Sequence, residues 1–155
     1  MNQAAATYRS SGQRGFSPQV QSLAGVIFAR KCAGEVSVEF ASGECTVHTR
    51  EGIVHAHAGD AILTSRTGER WRVSRAKFTE KYRPVAPTRA GEGGRYATLP
   101  IRVAAVRMHE PFEVILADGV SVLAGNAGHW LVDYGDGSLG VIAPEIFTAT
   151  YRIEA

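Results

Sequence analysis

The sequence predicts a mainly β (β-rich α+β) protein made of two repeated, barrel-like units of about 60 residues. Three observations carry that expectation. Residues 58–83 (AGDAILTSRTGERWRVSRAKFTEKYR) align without a gap on residues 127–152 (AGHWLVDYGDGSLGVIAPEIFTATYR), a shift of 69, and seven of the 26 pairs are identical. The identities are Ala58/Ala127, Gly59/Gly128, Gly68/Gly137, Phe78/Phe147, Thr79/Thr148, Tyr82/Tyr151 and Arg83/Arg152, where about one or two would arise by chance. Short runs such as VSVEF (36–40) and FEVIL (112–116) alternate apolar and polar residues as half-buried strands do. Glycines and small polar residues punctuate these runs at hairpin spacing.

Residues 1–24 are polar and rich in Gln, Ser and Ala, which reads as a flexible arm. Within it, Ser17 and Pro18 offer an N-cap and a first helical position. Residues 25–85 form the first β-rich repeat and residues 98–155 the second. Between them 86–97 (APTRAGEGGRYA) carries three glycines and a proline and reads as a linker. Each repeat runs strands, hairpin, short helical turn and strand. In the second, Asp136-Gly137 suits a two-residue turn that pairs Val132 with Val141 and Leu131 with Ile142. Pro144 then opens a short helix with Phe147 and Tyr151 on one face. Ser74, Phe78 and Tyr82 repeat that arrangement in the first.

An apolar fraction of 45% and a charged fraction of 21% fit a globular core and exclude wholesale disorder. No apolar run reaches the length of a membrane span, and the N-terminus has no apolar signal core, so neither membrane nor secretion is expected. Cys32 and Cys45 make no disulfide framework and fit a reducing, cytoplasmic setting. The net charge of +2 divides unevenly: residues 25–90 hold eleven Lys/Arg against seven Asp/Glu, and residues 95–155 hold four against seven. The two halves therefore attract each other or serve different partners.

The pattern Gly-Asp, aliphatic pair, Gly-Glu hairpin, aromatic, then spaced Phe and Tyr resembles a small bacterial and phage-associated family with a PGDYG-like motif. The residues that carry it are Gly59, Asp60, Ile62, Leu63, Gly68, Glu69, Trp71, Val73, Phe78, Tyr82 and Pro84. Gly128, Trp130, Leu131, Val132, Gly137, Phe147 and Tyr151 carry it again. Ala58 and Ala127 stand in place of the proline, Ala61 in place of the first aromatic and His129 in place of the aspartate. The resemblance implies a shared fold and a bacterial or phage-linked accessory role, and it implies no activity.

Three constellations could carry chemistry. In CTVHTREGIVHAH a turn at Glu51-Gly52 pairs His48 with His55 and puts His48, His55 and His57 on one sheet face, a possible divalent-metal site. Solvent-facing strand histidines fit the same pattern. The segment 66–83 holds seven Lys/Arg; with Ile62, Trp71 and Val73 facing the core, Arg70 and Arg72 project together, flanked by Arg66, Arg75 and Lys77. Such a fork-bearing patch suits the phosphates of a nucleotide or nucleic acid; a solvated face, or one paired with the acidic second repeat, is the more ordinary reading. Finally, Trp130, Val132, Tyr134, Leu139 and Val141 read as a second apolar face on a hairpin whose other face, Leu131 and Ile142, is already core. Left exposed, they would mark an interface with the first repeat or with a second chain.

No nucleophile–base pair or phosphate loop stands out, so the sequence supplies no catalytic residue and no cofactor. The expectation is a binding or interaction module with a homo-oligomeric or protein partner. Phosphate binding is the alternative, and a His-ligated metal enzyme a third reading.

Overall fold

The computed structural model describes residues 5–154. The N-terminal segment supplies β1 (Ala6–Arg9), α1 (Pro18–Gln21) and β2 (Ile27–Lys31). Next come β3 (Glu35–Phe40), the hairpin of β4 (Cys45–Thr49) and β5 (Gly52–Ala56), and the hairpin of β6 (Ala61–Thr64) and β7 (Arg70–Val73). They are followed by α2 (Arg75–Lys81), β8 (Tyr82–Pro84) and β9 (Gly94–Thr98). The rest is β10 (Arg102–Arg107), the hairpin of β11 (Phe112–Ile115) and β12 (Val122–Gly125), the hairpin of β13 (Trp130–Asp133) and β14 (Leu139–Ile142), α3 (Pro144–Thr150) and β15 (Tyr151–Ile153). The chain is mainly β, as its alternating runs predict.

Two compact units result: one holds residues 32–100, the other the residues up to 31 together with those from 101 onward. The first unit has a five-stranded sheet in the order β7-β6-β3-β9-β8, the second one in the order β14-β13-β10-β2-β15. A shift of 69 carries β6, β7, α2 and β8 onto β13, β14, α3 and β15, and a shift of 67 carries β3 onto β10 and β2 onto β9. The orders therefore correspond strand for strand, with one exchange. Strand β2, just ahead of β3 in sequence, lies between β10 and β15; strand β9, just ahead of β10, lies between β3 and β8. The registers agree as well, with Val36 opposite Tyr96 in one sheet and Val103 opposite Ala29 in the other. Each sheet is completed by the strand that precedes the other's series.

Two expected boundaries change as a result. The segment expected as a linker, 86–97, contains most of β9, and β2 belongs to the unit that follows rather than the one it precedes. The buried Tyr96 hydroxyl pins the glycine-rich stretch: it donates to the Glu92 carbonyl at 2.7 Å, with the Arg89 carbonyl at 3.2 Å, and accepts the Gly91 N–H at 3.2 Å. Neither sheet closes on itself. The outer strands β7 and β8, and β14 and β15, leave open sheets where barrel-like units were expected.

Each sheet is covered on both faces. In the first unit Val36, Val38, Ala61, Leu63, Trp71 and Val73 pack with Phe78 and Tyr82, while Ile62 on the other face meets Val47 and Ala56 of the β4–β5 hairpin. In the second, Ala29, Val103, Ala105 and Val132 pack with Phe147 and Tyr151, and Trp130 stacks on Phe147 at 4.1 Å. Its other face, with Val106, Leu131, Leu139 and Val141, meets Phe112 and Val114 together with Tyr8 and Val20 of the N-terminal segment. The described part of the expected arm is thus structural: β1 pairs in parallel with β11, and α1 begins at Pro18 behind Ser17 as the cap residues predict.

The faces differ from the expected ones because the registers slip by one residue. The loops 65–69 and 134–138 are closed by Ser65 N–H to Glu69 C=O at 2.9 Å and Tyr134 N–H to Ser138 C=O at 3.2 Å. Leu131 consequently pairs with Val141 and Trp130 with Ile142, and a slip of one exchanges the two faces of a strand. Trp130 and Val132 face α3, with Tyr134 packed beside them, whereas Leu139 and Val141 face the N-terminal segment. The five residues expected to form one uncovered interface lie on two faces, and their own chain covers both. Ala61 and Leu63, on the same face as Trp71 and Val73, are core.

Truncating Tyr8, which meets Phe112 edge-on at 6.4 Å, opens a hole in that core although it lies in the expected arm. Tyr8→Ala should lower unfolding free energy by about 3 kcal/mol in urea titrations; a freely moving arm would give almost no change.

Candidate functional site

The N-terminal segment follows one continuous track across the second unit. Ala6 to Arg9 lie opposite Phe112 to Ile115, and Ser10 N–H donates to the Ile115 carbonyl at 2.9 Å. Ser10 Oγ then accepts Leu139 N–H at 3.0 Å, Gly12 N–H donates to Gly137 C=O and Gly15 N–H to Gly135 C=O, both at 2.9 Å. Ser17 N–H finally donates to the Asp133 carboxylate at 2.6 Å. Gly137 has φ +90, and a Cβ there would run into the Gln13 nitrogen, so the crossing segment and the left-handed backbone both demand glycine. Asp133 also accepts Gly135 N–H at 3.0 Å. Its burial, with the neighbouring Asp136 charge adding to it, raises its carboxyl above the ordinary carboxylate range.

Among the described residues no strand pairs along the corresponding track across the first unit, and the Arg50 side chain reaches over its loop to Glu69 at 3.9 Å. Strand β4, the counterpart of β11, pairs with β5 alone. Gly68 keeps the left-handed conformation of Gly137, at φ +92, yet nothing lies within 4 Å of a Cβ built on it. The floor changes chemistry to match. Where the second unit offers Val106, Phe112, Leu139 and Val141 to the N-terminal segment, the first has Glu39, Cys45, Arg70 and Arg72. Arg70 Nη2 reaches Glu39 at 3.1 Å and Arg72 Nη1 reaches Asp60 at 3.2 Å. Glu69 is held by the Ser65 and Thr67 hydroxyls, and these bonds lower its carboxyl pKa. The unpaired edge of β4 is the feature that can accept an extended polypeptide.

The Gly-Asp turn sits beside this floor. Asp60 Oδ2 accepts His57 N–H at 2.8 Å, and Asp60 N–H donates to the His57 carbonyl at 3.0 Å. Gly59, at φ +88, donates to Ala41 C=O at 2.8 Å. The second unit builds the same turn with different atoms: His129 Nδ1 accepts Asn126 N–H at 3.3 Å, and Gly128 N–H donates to Met108 C=O at 2.7 Å. His129 therefore keeps the aspartate's role in the turn. Only the ion pair is gone, because Arg72 has become Val141.

The geometry defines a mainly β chain of two sheet-and-helix units, each turning into its hairpin through a Gly-Asp or Gly-His bend. The chain belongs to the PGDYG protein family, whose profile matches residues 52–152. No curated protein and no solved structure matches the chain.

The other sequence-predicted residues are only partly brought together. Arg75 stacks over the Phe40 ring at 5.0 Å, Lys77 is half-buried in α2, and Arg66 stands exposed at the loop tip. The patch is thus divided among internal partners rather than converging on one point. Since Ile62 pairs with Arg72 and Leu63 with Trp71, the arginines share a face with Ile62, not the face opposite to it. For the histidines the turn falls at Arg50-Glu51, because Thr49 Oγ1 donates to Gly52 C=O at 2.6 Å and accepts Gly52 N–H at 3.0 Å. His48 then pairs with Ile53 and His55 with Thr46, while His57 meets Glu44 at 3.4 Å. Among the described residues no group of three or more His, Cys, Asp or Glu could hold a metal ion. Sequence reasoning missed the β4 edge and the track beside it.

Arg72 and Asp60 are both largely buried, at 18% and 11% side-chain exposure, so removing one partner strands the other's charge. Arg72→Ala should cost about 3 kcal/mol, whereas Arg70→Ala, at an exposed pair, should cost about 0.5 kcal/mol or less. The double variant Asp60→His/Arg72→Val, which copies the second unit, should recover most of the loss in the same denaturation assay.

Proposed function

We propose that this protein is a non-enzymatic interaction module built from two copies of the PGDYG unit. It serves a cytoplasmic, bacterial or phage-linked accessory role through contact with other polypeptide chains, a second copy of itself included. The observation that carries this reading is the unequal treatment of one track. The second unit fills it with the chain's own N-terminal segment and an apolar seat. The first leaves it free of strand pairing, with polar groups that tolerate water until a partner arrives. A module of this kind recognises through backbone pairing and side-chain complementarity, so it needs no catalytic group.

Phosphate binding ranks second. Arg66 is exposed, and Arg72 Nε is buried with no hydrogen-bond partner, which favours some anion near the loop. A phosphate would nonetheless have to draw Arg70 and Arg72 away from Glu39 and Asp60. Native mass spectrometry of the protein purified from its own cells separates the readings. The module reading predicts species whose added mass is that of a polypeptide. A stoichiometric nucleotide or metal ion in place of a polypeptide contradicts it.

A further inference from the structure

We infer that the open edge of β4 receives an extended, acidic segment of a different protein, added as a parallel strand and continuing over the 65–69 loop. This rests on the interaction-module reading and names its partner's chemistry. The seat is visible in the second unit, where Ala6–Arg9 lies parallel to β11 and the chain then crosses the 134–138 loop. Ile115 turns its carbonyl toward that strand, and its counterpart is His48; in a strand the N–H and C=O of one residue share an edge. Thr46 and His48 therefore face the vacant side of β4. The loop beyond keeps its shape and nothing lies within 4 Å of a Cβ built on Gly68, where Gly137 is crossed; the Arg50 side chain that meets Glu69 at 3.9 Å swings aside.

The floor selects the occupant. In the second unit the inward residue of the added strand is Tyr8, clustered with Leu139 and Val141. In the first, Arg70 and Arg72 occupy those two positions, so the inward residue of an incoming strand meets guanidinium groups rather than aliphatic ones. A carboxylate there can take a charge-assisted hydrogen bond from Arg72 Nε, which is buried without a partner, while the Glu39 and Asp60 pairs stay in place. The N-terminal segment of a second copy does not fit the requirement. Its residues 1–24 contain no Asp or Glu and carry Arg9 and Arg14, and its own Tyr8 is already buried in its own core.

The test uses the full chain and a synthetic peptide of residues 5–17 in which Tyr8 is replaced by Glu. The unaltered 5–17 peptide is the control. Calorimetry should show the Glu peptide binding about tenfold more tightly than the control. Hydrogen exchange should show the Thr46 and His48 amides slowed at saturation. Thr46→Pro removes an edge donor at a position where an edge strand tolerates proline, and it should abolish binding. Should that variant fail to fold, Arg70→Glu, at an exposed position, should weaken the Glu peptide by a similar factor. A Glu peptide that fails to bind, or that binds without slowing those amides, overturns the proposal, as does a control that binds equally well. A polypeptide retained in native mass spectrometry alongside unprotected β4 amides removes this edge and leaves the module reading in place.

Discussion

A hairpin that is apolar on both faces has to be buried on both, and in the second unit the helix α3 reaches only one of them. Leu131, Leu139 and Val141 turn away from Phe147, and the β11–β12 hairpin covers part of that face. Tyr8 and Val20 of the N-terminal segment complete the cover. Once that segment is committed there, several other features follow. Gly137 has to be glycine because a backbone crosses it, and Asp133 sits where Ser17 N–H can reach it. The first unit, with no segment to cover the same face, has arginines and a glutamate where the second has leucine and valines. Residues 32–100 hold ten Lys/Arg against eight Asp/Glu, whereas the second unit balances at seven against seven.

The exchange of β2 and β9 is a second constraint, and it ties distant parts of the sequence together. Ala29 pairs with Val103 and Ile153, and all but the last are buried. Neither sheet is complete until strands from both ends of its series have arrived. Such pairings are dominated by long loops, which slows folding relative to local hairpins. They also make the two series interdependent in composition, since β2 and β9 must each suit a sheet that begins elsewhere in the chain.

Much of this is legible in the sequence, and the failures have identifiable causes. The ungapped shift of 69 locates hairpin, helix and final strand in both units because glycines, Phe78/Phe147 and Tyr82/Tyr151 hold turn and core positions. Faces are harder. Asp136-Gly137 reads as a two-residue turn, yet the connection is five residues long, and a one-residue slip moved Leu139 and Val141 to the wrong company. The Thr49 hydroxyl likewise drew the β4–β5 turn back to Arg50-Glu51. Strand β9 hides behind Gly91, Gly93 and Gly94, although the buried Tyr96 and Thr98 alternate with Arg95 and Ala97. Val20, Leu23 and Val26 recur every third residue through a polar segment, a trace of its packing that composition alone obscures. Which sheet a strand joins is not written in its local pattern, so the exchange could not be read in advance.

The central claim is that one track is filled and its counterpart is not. Native-state hydrogen exchange on the free, full-length protein addresses it directly by comparing edge amides at corresponding positions. Glu113 and Ile115 of β11, which face β1, should exchange slowly, because their release requires the N-terminal segment to detach. Thr46 and His48 of β4 should exchange rapidly, as amides of an open edge do. Equal protection at the two pairs would contradict the account: it would mean that β4 already has a strand partner or that the N-terminal segment does not hold β11.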